Sequence, residues 1–149
     1  MAVVDHDLGF RKIVSNLQDL DNAEIVVGVL RNAGKEKDGT DLVDVAVYNE
    51  FGTKHIPSRP FIRIASDEHG DEWQDLSERC VDAIIAGRIG KSQAMNLIGS
   101  KAKADIQKVF GDKSKLAPNK QSTIDRKGSS APLIDSSRLR GSIDFRIDE

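Results

Sequence analysis

Few residues in this chain have the types and spacing for covalent or metal chemistry. "GRIGKS" ends in Gly90-Lys91-Ser92, the close of a phosphate-binding loop, and runs into a helical pattern. Such a loop needs a glycine five residues before Gly90 and a strand ahead of it. Ile85 stands there instead, at the end of a helical pattern, so the backbone amides cannot form a cradle and a plain helix–helix turn is expected. His6, His55 and His69 lie far apart with Cys80 the one thiol, and they match no zinc spacing. Asp67, Glu68, Asp71, Glu72, Asp75 and Glu78 could supply an acid–base pair, but at helical spacing they make a solvated face. No serine sits in a nucleophile elbow. The expectation is no enzyme activity, no cofactor and no metal.

The basic run from Lys113 to Arg126 could meet phosphates, yet it holds no aromatic residue for base stacking and is interrupted by Asp125. A loop that faces solvent or an acidic protein surface is the better reading. Nucleic-acid binding through 113–126 is the alternative from another class.

Composition narrows the setting. A chain of 149 residues suits one domain spanning 1–149, with a modest core. Hydrophobic content of 38%, aromatics of 5% and charged residues of 31% describe a polar fold with an aliphatic core, part of whose surface partners would complete. A net charge of −2 gives no global pull towards nucleic acid or an anionic membrane. The lone Cys80 forms no intrachain disulfide, which suits a reducing compartment. The start carries Asp5 in place of a long apolar core, and no apolar run nears the roughly eighteen residues a membrane span needs, so neither export by signal peptide nor membrane insertion is expected.

The elements that position these residues follow from periodicity. Leu8, Ile13, Leu17 and Leu20 fit a first amphipathic helix ending near Asp21, weakened at Gly9. "AEIVVGVL" reads as a strand and "RNAGKEKDGTD" as an exposed loop. "LVDVAVYNEF" fits strand and helix patterns alike, and a short helix is preferred. Trp73, Leu76, Cys80, Ala83, Ile84 and Gly87 predict a helix over 67–86 whose acidic start complements its dipole. Ser92 is the expected cap of a second helix with Leu97, Ile98, Ala102, Ile106, Val109 and Phe110 buried and Gly111 closing it. The stretch 112–135 has no periodicity, two prolines and many Lys, Ser and Gly residues, and reads as a long loop or arm. A helical turn at 137–141 and a strand through Ile143, Phe145 and Ile147 complete an α+β fold: a small sheet, two to four packed helices, and the arm before the last strand.

Between the short helix and the long one lies "YNEFGTKHIPSRPFIRI", a stiffened elbow. Gly52 permits a positive φ after Phe51, Pro57 and Pro60 keep Ile56 and Arg59 extended, and Phe61, Ile62 and Ile64 can enter the core. Whatever its function, it is a tight loop packed by Phe51 and Phe61. Carrying Glu50, Lys54 and Arg59, it is also a good contact surface.

Two stretches together resemble the tail-completion and neck (head–tail joining) proteins of tailed bacteriophages. "VYNEFGTKHIPSRPFIR" is similar to that family's "HEFG…IPARPFLR" segment, and "TIDRKGSSAPLIDSSRLRGSIDFRI" to its "TI.RKGS..PLIDTG.LR.SI.Y.V" ending. The two cover about half the chain. Glu50, Phe51 and Gly52 match "EFG"; Pro57, Arg59, Pro60 and Phe61 match "PxRPF"; Pro132, Leu133, Ile134, Asp135, Leu139 and Ser142 match the ending. Lys120, Arg126, Lys127 and Arg140 flank these matches as further contact candidates. Asn49 replaces a common histidine, Ser58 an alanine, and Ser136-Ser137 a threonine-glycine, which leaves the turn before Leu139 open.

The resemblance implies a virion protein without a catalytic role, assembled in the host bacterial cytoplasm as a homo-oligomeric ring, taken as a hexamer, at the head-proximal end of the tail. Its partners would be the tail terminator or tail-tube protein and the connector of the head. DNA would meet it only in the ring lumen. A tail-terminator or head-completion subunit is the alternative within the same particle.

Overall fold

A computed structural model describes residues 9–133 and 137–148. Its elements run α1 (Phe10–Leu20), β1 (Glu24–Val29), α2 (Leu42–Phe51), α3 (Phe61–Ile85), α4 (Lys91–Val109), α5 (Gln121–Lys127), α6 (Arg138–Gly141) and β2 (Ile143–Asp148). Four of these helices have ten residues or more, and the strands form one two-stranded antiparallel sheet, so the fold is the expected small α+β type. The register pairs Glu24 with Asp148 and Val29 with Ile143.

α3 and α4 form an antiparallel hairpin that carries everything else. The turn between them is a helix C-cap rather than a phosphate cradle. Gly87, at φ 70°, donates its amide to the Ile84 carbonyl at 2.9 Å, and Arg88 donates to Ala83 at 2.8 Å. These are the paired bonds of a Schellman ending, which satisfy carbonyls the helix would otherwise leave open. Beside this turn Cys80, Ile84 and Ala94 bury one another with Leu20, Leu76, Ile89 and Ile98, so the thiol lies on the apolar face that its spacing gives it.

The larger core gathers Leu42, Ala46, Phe61, Ala65, Ile106, Val109, Phe110, Leu116, Leu139 and Ile143. Phe61 is 0% exposed and stacks at a tilt on Phe110, ring centroids 4.8 Å apart. The sheet lies on α4 at Gly99, where a Cβ would come within 2.3 Å of the Phe145 ring; only glycine admits so close an approach.

Several expectations are corrected. The long helix starts at Phe61, not Asp67, and has no acid in its first turn. The carboxylates from 67 onward therefore decorate its middle, and its positive end is met by a residue from elsewhere. Ser92 does not cap α4: Gly90 holds that position, without a side-chain bond. Leu97, assigned to the buried stripe, is 47% exposed, because Gly99 and Ala102 carry the contact face in that turn. The stretch 112–135 is not without structure. It buries Leu116 and Pro132 and contains α5, closed by Gly128 in the left-handed region.

Candidate interaction site

The elbow is built around one carboxylate. Asp41 caps α2 by accepting from the Val43 amide at 2.9 Å, and α2 then runs to Phe51. Its last turn turns Glu50 inward, where the carboxylate accepts from the Ile62 amide at 3.0 Å and the Arg63 amide at 3.1 Å. Those are open donors in the first turn of α3. A buried glutamate from the preceding helix thus supplies both the cap and the negative charge that the helix dipole favours. Pro60, in the N-cap position, has no side-chain acceptor of its own.

Gly52 makes the turn at φ 76°, with a hypothetical Cβ 2.9 Å from the Ser58 amide nitrogen. Across the elbow the Ser58 hydroxyl donates to the Glu50 carbonyl at 2.8 Å, and the Arg59 amide donates to the Asn49 carbonyl at 2.6 Å. The chain returns antiparallel to itself and aims Phe61 into the core.

Arg59 then ties the elbow to the arm. Its Nε donates to the Ala117 carbonyl at 2.8 Å, and Nη2 to the Pro118 carbonyl at 3.0 Å and to Asn119 Oδ1 at 3.3 Å. Burial pushes its guanidinium down from its usual value. Asn119 passes the tie on, donating to the Ala131 carbonyl at 3.2 Å, which also accepts from Lys127 Nζ at 2.6 Å.

Between elbow, arm and ending lies a cleft of about 770 Å³. Arg59, Arg126, Lys127, Leu133 and Leu139 line it, so five expected contact residues from both resembling stretches come together. Glu36, Lys37, Asp38, Val45, Asn49, Ile56, Asn119, Thr123 and Ser137 complete the wall, and none of them was expected as a contact residue from the sequence. A carboxamide at a helix end, three residues before the Gly52 turn, was the available signal at Asn49. The other expected residues play different parts. Glu50 and Phe61 are buried and structural, as is Pro132, while Pro57, Lys54, Lys120 and Arg140 are exposed. Phe51, expected to pack the loop, is instead 69% exposed with the Arg63 guanidinium 5.9 Å over its ring. Asp135 lies outside the described residues. Ser137, in the glycine position of the family pattern, has φ 59°.

A second polar cluster went unforeseen. Asp105, 0% exposed on the apolar face of α4, accepts from Trp73 Nε1 at 2.9 Å, Lys101 Nζ at 2.6 Å and Lys108 Nζ at 2.9 Å. Burial alone would raise its carboxyl, but those three donors outweigh it and hold the group well below the usual carboxylate range. An acid within an apolar stripe and the chain's one tryptophan were the signals. His69, Glu72 and Asp105 place ligand atoms within 4.8 Å of one another, yet Lys101 bridges Glu72 at 2.7 Å and Asp105 at 2.6 Å. The ammonium already supplies the positive charge, and the cluster is a structural ion network.

The cleft lining offers cations, the carboxylates of Glu36 and Asp38, amides, hydroxyls and aliphatic surface, a chemistry suited to holding a polypeptide. No helix among the described residues is long and apolar enough to cross a membrane. Comparison of the chain with family models, with curated proteins and with solved structures returns no match.

Proposed function

We propose that this chain is a structural virion subunit of a tailed bacteriophage, a ring-forming tail-completion or neck protein that joins the tail to the connector of the head. The observation that carries the reading is the meeting of the two resembling stretches. Arg59 of the first stretch and Arg126, Lys127, Leu133 and Leu139 of the second wall one cleft, and Arg59 is also bonded to Ala117, Pro118 and Asn119 just ahead of the second. Two stretches that each resemble one family in sequence thus contribute to a single surface.

Further features suit an assembled subunit. α2 presents Val47, Tyr48 and Phe51 outward, an apolar ridge on a motif-bearing helix. Among the described residues the sheet has two strands, and β1 and β2 each leave an edge without a strand neighbour. Two unlike edges on one chain are what a head-to-tail ring can use. Nucleic-acid binding through 113–126 is weakened by Lys115, whose ammonium lies 2.6 Å from Glu68. Arg126 faces a cleft shared with Glu36 and Asp38.

The test is a deletion of the gene in its phage, with lysates viewed by electron microscopy. Filled heads and finished tails left unjoined support the reading. Overlong tails favour a tail terminator, and heads that lose DNA a head-completion subunit. Normal, infectious particles overturn all three.

A further inference from the structure

The near-neutral net charge hides two opposed surfaces. Residues 67–82 hold seven carboxylates against one arginine, while 113–127 hold five Lys or Arg against one aspartate. On α3 the seven acids divide by face. Glu68 pairs with Lys115 at 2.6 Å and Glu72 with Lys101 at 2.7 Å, turned towards the rest of the chain. Asp67, Asp71, Asp75, Glu78 and Asp82 follow one another at intervals of four, four, three and four, a single stripe on the side away from the core. All five are exposed, and among the described residues none pairs with a cation. Like charges at such spacing destabilise a helix, so the bare fold gains nothing from them.

The same chain carries the complement. Lys113, Lys120 and Arg126 are exposed and pair with no described acid. They cannot serve their own stripe along its length. Arg59 pins 117–119 at the elbow, where α3 begins, and Asp82 lies roughly 31 Å along the helix from Phe61 at about 1.5 Å per residue. At that far end Val81 and Ile85 are 38% and 39% exposed, so the stripe finishes on an apolar step. A ring made by head-to-tail contact needs two different, complementary surfaces on each copy.

We propose that the acidic outer face of α3 docks against the Lys113–Lys127 segment of a second copy of this chain, making the contact between neighbours around the ring. The inference rests on the ring-forming reading and names its two surfaces. The charges steer the copies together and set their register, and Val81 and Ile85 lose water in the contact.

Sedimentation velocity of three purified chains tests it: wild type, D71K/D75K/E78K, and K113E/K120E/R126E. Circular dichroism checks that each is folded, as substitutions on exposed side chains should leave it. The wild type should form rings at low salt that loosen as salt shortens the screening length to about 3 Å near 1 M. Each triple variant alone should associate at least about 100-fold more weakly, since attraction becomes repulsion. An equimolar mixture of the two variants should restore rings, with copies alternating. Rings formed equally well by either variant overturn the docking and leave the ring reading standing. Loss in both variants without recovery on mixing also overturns it. A wild type that stays monomeric at every concentration and in the presence of phage tails removes the ring and this contact together.

Discussion

Removal of the Glu50 carboxylate probes the elbow at its centre. In Glu50→Ala the Ile62 and Arg63 amides lose acceptors at 3.0 and 3.1 Å, and the first turn of a 25-residue helix loses its negative charge. Hydrogen bonds to a charged group contribute about 1.5–3 kcal/mol each, and the low end applies because the freed amides regain some water. With about 0.8 kcal/mol for each buried methylene lost, the cost comes to about 4 kcal/mol. For a domain of this size that is a fall in Tm of roughly 8–16 °C. Glu50→Gln, which keeps one acceptor and the packing, should lose about half as much. Urea melts followed by circular dichroism give both values, and an unchanged m-value confirms that the unfolded state is the same. A Glu50→Ala midpoint within about 1 kcal/mol of wild type would refute the remote cap and leave the acidic residue of the motif without a structural role.

Other substitutions read neighbouring parts of the structure. Phe61→Ala should cost about 3–5 kcal/mol in the same melts, and Gly52→Val should fold poorly because its side chain meets the Ser58 backbone at a positive φ. Ser137→Gly should stabilise by about 0.5–1 kcal/mol, since the left-handed φ of 59° strains serine more than glycine entropy costs. Asp105→Asn should lose about 2 kcal/mol at neutral pH. Because the folded carboxyl is held below its unfolded value near 3.9, its contribution is complete above that value and fades as pH falls towards the depressed one. The gap between wild type and Asp105→Asn should therefore narrow in melts below about pH 4. Arg59→Ala should free the arm, and trypsin should then cut at Lys113 and Lys120 much faster than in wild type; equal rates would mean that the Ala117 and Pro118 bonds do not hold it.

What was legible in the sequence was local. Apolar spacing placed α1, α4 and most of α3, and alternation placed β2, because those patterns record which face meets the core. Phe61, Cys80 and the positive φ of Gly52 followed from chemistry within a few residues. What was missed depends on contacts between distant segments. The start of α3 was set six residues late because its cap, Glu50, sits eleven residues upstream on another helix. The arm read as a long loop without periodicity, yet Arg59 gives its carbonyls donors that no local pattern reveals. Leu97 fitted the stripe by period, but the close approach of Phe145 to Gly99 turned that helix face towards the sheet. Of the cleft, most of the cationic and motif residues were readable, whereas Asn119 and the 36–38 loop enter only through the fold.

The central claim is that this chain joins tails to heads, and in vitro complementation tests it most directly. Lysate from a phage lacking the gene, holding heads and tails unjoined, is mixed with purified wild-type chain and the infectious titre is counted. The account predicts a rise of several orders of magnitude, absent with a chain whose elbow is disrupted by Gly52→Val. A titre that stays at the background level with folded wild-type protein contradicts it.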